Sequence, residues 1–248
     1  MSDKIHTVVL VLRSGGAFSF RDVELVSSHL HKNWHGEGKL QIICLYDKID
    51  HPFDLVNVKL IPMSNKQWPK WWTKMNLFAP DMEQYRPFLF MDLDTAVVGD
   101  LKGVLPPIGY EDKFITLGGF NDNLTQINMY LLSGMMWFPT KNDKISQVWN
   151  KWIQNPNEAI QKNHRGGDQS FIQSVITNPD VRWQNIVPNQ IANFKPTNGR
   201  FVNDKEAGWN QKVLDKFAKE TTVVCFHGRP KIYEAAKHVG WVKDYINI

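Results

Sequence analysis

Residues 7–12 (TVVLVL) constrain the fold more than any other stretch of the chain. A strand with one wet face alternates apolar and polar residues. A run with no polar alternation has to be covered on both faces, the situation of a strand inside a parallel sheet. Similar runs follow at 40–46 (LQIICLY), 58–61, 87–91 (PFLFM) and 221–226 (TTVVCF). After the first run, Ser19 with Asp22 three residues on marks a helix start, and Val23, Val26 and Leu30 then fall on one helical face. Residues 70–78 read as a further helix, just ahead of PFLFM. Strand, helix, strand, strand, helix, strand predicts an α/β fold with a Rossmann-like, mostly parallel sheet flanked by helices.

The second half is less regular. Ile145, Val148, Trp149 and Trp152 share a helical face in 143–153, with Asp143 expected as its N-cap, and 168–176 reads as a helix after Gly166 and Gly167. Residues 178–208, rich in Pro, Asn and Gly, are expected to form a long loop region. There is no internal repeat or clear linker, so a single domain over 1–248 is expected.

Composition excludes several classes. The net charge of +4 comes from 29 basic and 25 acidic residues scattered along the chain, unlike the basic stripe of a nucleic-acid binder. Two cysteines, Cys44 and Cys225, both in apolar runs, are too few for a disulfide framework and are expected as reduced core residues. The first residues lack the apolar core of a signal peptide, and no run approaches the length of a membrane span. A cytoplasmic protein is expected, with peripheral membrane contact left open.

The sharpest chemical signal is FLFMDLDTAVVGDL at 88–101. Ligands of parallel sheets bind at the carboxyl ends of strands, and four apolar residues here run directly into Asp92-Leu93-Asp94. Residues two apart in an extended chain point the same way, so the two carboxylates would repel unless a cation or proton lay between them. Mg²⁺ or Mn²⁺ suits that place, since these ions take one or two carboxylates plus substrate phosphates.

With this motif three others occur in order: LLSGMMWF (131–138), GGDQSFIQSVI (166–176) and CFHGRPK (225–231). Together they resemble the motifs of the family 8 glycosyltransferases, the group of glycogenin and the lipopolysaccharide galactosyl- and glucosyltransferases. The resemblance runs from about residue 7 to residue 231 and implies a GT-A fold. Residues 1–101 would be its nucleotide-binding half, and 102–248 the acceptor side with the terminal metal and diphosphate motif. It implies transfer of a hexose from a nucleoside diphosphate, UDP in this family, to a glycan, lipid-linked or protein hydroxyl, with retention and with Mn²⁺ or Mg²⁺. It also implies roles: Asp92 and Asp94 for the metal, Asp92 also for the ribose, Lys231 and Gly228 for the diphosphate, Lys74 near the nucleotide. Arg13 and Ser14 would flank base and ribose, Ser133 and Gly134 the donor, and Asp168 and Gln169 the transferred sugar.

Three departures stand out. Cys225 occupies the place of the family's metal-binding histidine. If the strand continues, His227 faces the same way and could supply the ligand instead, being the harder donor. Leu132 replaces an Asn before Ser-Gly, and Ile232 and Tyr233 replace Pro-Trp after the lysine. Two other readings compete. Asp-Leu-Asp-Thr also fits the nucleophile motif of haloacid-dehalogenase-type phosphatases, with Asp92 attacking phosphorus, although three strands precede it here and no later Gly-Asp-x-x-x-Asp follows. A non-catalytic nucleotide-sugar binder is the other. Asp168 also has a plainer reading, as the N-cap of a helix that starts after Gly-Gly, and the two are compatible. The cluster WPKWW (68–72) could offer one indole to an acceptor sugar, core packing being the commoner fate of tryptophan.

Overall fold

The computed structural model describes residues 4–48, 55–120, 127–177, 181–194 and 219–247, with backbone alone for 127–130. In chain order its strands are β1 (Ile5–Leu12), β2 (Lys39–Tyr46), β3 (Val58–Pro62), β4 (Phe88–Met91), β5 (Thr95–Val97), β6 (Ile115–Phe120), β7 (Ile127–Phe138), β8 (Val181–Arg182), β9 (Ile191–Asn193) and β10 (Val223–Cys225). The helices are α1 (Phe20–Lys32), α2 (Asp143–Gln154), α3 (Pro156–Lys162), α4 (Gly167–Val175), α5 (Trp183–Ile186), α6 (Ile232–Ala235) and α7 (Gly240–Ile246).

Seven strands form the main sheet in the order β3-β2-β1-β4-β7-β6-β8. β1, β2, β3 and β4 run parallel, and β7 alone opposes its neighbours β4 and β6. The expectation of a mostly parallel sheet holds, and the long β7 was the strand whose direction periodicity could not give. A second sheet, β5-β10-β9, pairs β5 antiparallel to β10, Thr95 opposite Cys225. This short pairing carries the last sequence motif to the strand-end aspartates.

Both faces of β1 are buried, as TVVLVL requires. Val8 and Leu10 face a core shared with Val23, Val26 and Leu30 of α1. Val9 joins Phe88, Phe90 and Phe138 in an aromatic core on the other face, where Trp72 stacks on Trp152 at 5.2 Å. Each such side chain contributes about 1.5–3 kcal/mol by leaving water. A third cluster, Phe194, Phe226, Ile232 and Val242 among its members, packs the C-terminal helices on the small sheet. The hydroxyl of Tyr245 accepts from the Val97 amide at 3.3 Å, and its carbonyl lies 2.7 Å from His29 Nε2, which fastens α7 to β5 and α1.

Helix limits follow local chemistry. The Ser19 amide donates to the Asp22 carboxylate at 2.7 Å and opens α1 as expected. Residues 70–78 are helical but wound as a 3-10 helix; a second, Pro80–Tyr85, follows at once. Pro80 has no amide to continue the first, and it holds Ala79 in an extended conformation between them. Two expected caps are corrected. Asn142, not Asp143, caps α2: extended at φ −167°, it accepts from the Lys144 amide at 3.0 Å. Gly166 precedes α4 in the cap position, and Asp168 lies in the first turn with its carboxylate turned to other partners. Of the expected loop 178–208, the stretch 181–194 forms β8, α5 and β9; the remainder lies outside the described residues. No helix among the described residues is long and apolar enough to cross a membrane.

Candidate active site

β1 and β4 are neighbours in the sheet and end side by side, so Arg13 and Asp92 leave it at the same edge. Beyond that edge opens a cleft of about 690 Å³. Asp92 and Asp94 line it, with Ser133 and Gly134 from β7. Asp168 and Gln169 enter from α4, Lys74 from the 3-10 helix, and His227, Gly228 and Lys231 from beyond β10. Arg13 borders it as well. Segments more than 200 residues apart in sequence thus converge, and two backbone bonds fix the junction. The Asp92 amide donates to the Gly134 carbonyl at 2.9 Å, and the Phe226 amide to the Asp94 carbonyl at 2.8 Å.

Two ammonium groups serve three carboxylates in the floor. Lys74 Nζ lies 2.7 Å from Asp92 and 3.8 Å from Asp168, both at Oδ2. Ser133 Oγ donates to that Asp168 oxygen at 2.6 Å. Lys231 Nζ lies 2.5 Å from Asp94 Oδ2, above the ring of Phe18. Burial alone would lower the Lys74 ammonium; Asp168 and Asp92 outweigh it and hold it above the ordinary lysine range. Burial raises the Asp92 carboxyl against the pull of Lys74, with repulsion from Asp94 adding to the rise.

Whether a divalent cation fits can be tested on the same atoms. Asp94 Oδ1 is buried with no hydrogen-bond partner among the described residues, although the other oxygen of that carboxylate is held by Lys231. An unpaired buried carboxylate oxygen is costly unless something positive meets it. Two hard oxygen donors are also what Mg²⁺ or Mn²⁺ takes from protein when substrate phosphates complete the shell. Asp92 and Asp94 therefore suit such an ion. A third protein ligand is not gathered with them: no three His, Cys, Asp or Glu side chains among the described residues form a metal-binding group. Cys225 is fully buried, and burial, then Asp94 and Asp92, push its thiol far up, so it stays protonated. The ring of His227 lies over Gly134, where an added Cβ would stand 2.6 Å from His227 Cε1 and 3.5 Å from Asp92 Oδ2. Gly134 is a glycine because the imidazole occupies the place of its side chain. Gly228, at φ +68°, takes a conformation that other residues rarely adopt.

Arg13 and Ser14 are spent largely on the loop itself. The Arg13 guanidinium pairs with Asp47 and donates to the Lys66 carbonyl at 3.0 Å; the Ser14 amide and hydroxyl both donate to Asp47 at 2.7 Å. Burial would raise the Asp47 carboxyl, but the Ser14 bonds and Arg13 outweigh it and hold it low. Ser14 lines not the cleft but a neighbouring pocket of about 470 Å³. The sequence reading missed Lys70 and Arg165 at the cleft's mouth, since isolated basic residues carry no pattern, and it left open which of three tryptophans would be exposed.

No protein-family model matches the sequence, and no curated protein matches it either. Solved structures do. The glycosyltransferase GlyE of Streptococcus pneumoniae TIGR4 superposes over 98% of this chain with a TM-score of 0.62 at 15% identity. The fold is that of the GT-A glycosyltransferases. The bifunctional glycosyltransferase WbbM matches 98% of the chain with a TM-score of 0.60 at 14% identity. The galactosyltransferase LgtC, solved with donor and acceptor sugar analogues, matches 97% with a TM-score of 0.61 at 12% identity. This GT-A chain spans 60% of GlyE and 49% of WbbM, but 95% of LgtC.

Proposed function

We propose that this chain is a metal-dependent glycosyltransferase, working as a single domain over 1–248, that moves a hexose from a UDP-linked donor to a hydroxyl of a glycan, lipid or protein acceptor with retention. One observation carries the reading. In a GT-A fold, two strand-end aspartates, one with an unsatisfied buried oxygen, face a glycine of positive φ and a partly exposed lysine across a single cleft. That is the chemistry needed to hold a diphosphate as it departs.

Asp92 and Asp94 would hold a divalent cation, Mn²⁺ or Mg²⁺, which would supply positive charge for the leaving diphosphate. The chain's own residues do the rest. Lys231 neutralises Asp94 before the donor enters and then turns its ammonium to the phosphates, a short swing for a flexible stem a third exposed. Gly228 lets the backbone approach those phosphates. Asp168 is held by Ser133 and Lys74, and it faces positive charge growing at the anomeric carbon. Gln169 borders both the cleft and an adjoining pocket of about 420 Å³, and so stands between donor and acceptor sides. An LgtC structure carries a Gln→Glu substitution in its active site, and Gln169 offers the same side chain at the edge of this cleft. Same-face attack directed by the leaving phosphate requires no protein nucleophile, consistent with the retention that the family 8 motifs imply.

The test is release of UDP from UDP-glucose, UDP-galactose and UDP-N-acetylglucosamine with Mn²⁺, followed with and without EDTA. Chelation should abolish it. Asp94→Asn should lower turnover by about 10²–10³-fold while leaving the melting temperature near wild type. Undiminished turnover of that variant, or failure of UDP and Mn²⁺ to bind the wild type in calorimetry, would overturn the assignment.

A further inference from the structure

The tryptophan cluster at 68–72 is divided by the fold. Trp68 and Trp72 are 5% and 3% exposed and belong to the aromatic core, whereas Trp71 is 45% exposed and lines the cleft. Its indole edge lies against α4: a Cβ added at Gly167 would fall 2.3 Å from Trp71 Nε1, and Gly167 takes φ +63°. Gly167 immediately precedes Asp168, and Trp71 precedes Lys74 by one turn of the 3-10 helix. The exposed indole therefore stands at the mouth of the cleft, next to the carboxylate that would face the transferred sugar.

Two cations share that mouth. Lys70 Nζ lies 5.5 Å from the Trp71 ring centroid, and Lys70 itself is held at φ +52°, a left-handed conformation that costs a lysine about 1 kcal/mol. Arg165 lines the same cleft. Both are exposed, and neither forms an ion pair with a described residue. The carboxylates of the floor pair with Lys74 and Lys231 instead.

From this arrangement we infer that Trp71, Lys70 and Arg165 form the acceptor subsite, and that the acceptor is an acidic sugar, one bearing a carboxylate or phosphate. The apolar face of the sugar ring stacks on the indole, and the two cations meet its anionic group. The placement gives a role to two cations that the carboxylates of the floor leave unpaired. It rests on the transferase reading, because only a donor in the floor makes the mouth an acceptor site.

Protein loaded with UDP and Mn²⁺ would be titrated with methyl β-glucuronide, glucose 6-phosphate and the neutral methyl β-glucoside, and binding read by saturation-transfer NMR and calorimetry. An acidic probe should bind about five-fold tighter than the glucoside, with the gain shrinking in high salt. Preference for the glucuronide alone identifies a uronic-acid acceptor, and preference for the phosphate alone a phosphorylated one. Arg165→Ala should erase the preference, and Trp71→Ala should weaken every sugar several-fold with UDP affinity unchanged. Equal binding of acidic and neutral probes, no binding of either acid while UDP binds, or wild-type sugar binding by Trp71→Ala would overturn the subsite. Failure of UDP itself to bind would instead remove the transferase reading beneath it.

Discussion

The floor and the mouth of the cleft are both rich in charge, but they treat it in opposite ways. In the floor every cation has its anion: Lys74 is shared by Asp92 and Asp168, and Lys231 sits on Asp94. In the mouth Lys70 and Arg165 stand beside an exposed indole without a carboxylate partner among the described residues. A floor whose lysines are all paired must exchange partners to bind. An unmatched mouth costs little because water screens it, and it keeps its charge for a ligand. Substitutions in the two regions should accordingly separate stability from recognition.

The largest effect is expected in the floor. Lys74→Met removes the one cation that two buried carboxylates share, and breaking a buried pair by deleting one partner costs about 3–5 kcal/mol. Its midpoint in urea should fall with an unchanged slope, and a second substitution, Asp168→Asn, should restore part of the loss because the two sites are coupled. If Lys74→Met unfolds like wild type, the floor is not a coupled ionic unit and the contrast with the mouth fails.

A smaller effect is expected where the two regions meet. Gly167→Ala places a methyl group against Trp71 Nε1 at a residue of positive φ, which should cost about 1–2 kcal/mol. The indole must shift to make room. Sugar binding should weaken while UDP affinity stays at the wild-type value, a split that simple destabilisation would not produce. Loss of both affinities together would show that Trp71 and the floor move as one.

Much of the floor was legible in the sequence, and most of the mouth was not. Asp92 and Asp94 could be found because an apolar run with no alternation must end at the ligand edge of a parallel sheet, and the strand order put them there. Their counter-ions were less visible. Lys231 and Lys74 were expected at the nucleotide, but that Lys231 would close on Asp94 depends on a β5–β10 pairing between residues about 130 apart, and a three-residue strand such as Thr95–Val97 has too little periodicity to read. The reading of Asp168 as a possible cap failed for a physical reason: Ser133 and Lys74 compete for the same carboxylate and hold it away from the helix end. The mouth depends on which face of one 3-10 turn meets the core. A search for 3.6-residue periodicity places Trp71 and Trp72 almost equally, whereas tertiary packing buries one against Trp152 and leaves the other on Gly167.

The smallest expected change is also the one that separates the two regions most sharply. Lys70→Gly relieves a left-handed backbone that costs lysine about 1 kcal/mol, and the greater freedom of glycine in the unfolded chain takes back roughly half of that. The net gain, about 0.5 kcal/mol, should appear as a slight rise in melting temperature. Removing the ammonium should at the same time reduce the preference for acidic over neutral sugars. Stability and recognition would then move in opposite directions, as they do where a strained residue is kept for binding. Were stability to fall while the preference stayed at the wild-type value, Lys70 would be a structural residue of the 3-10 helix start, and Arg165 alone would carry the charge of the mouth.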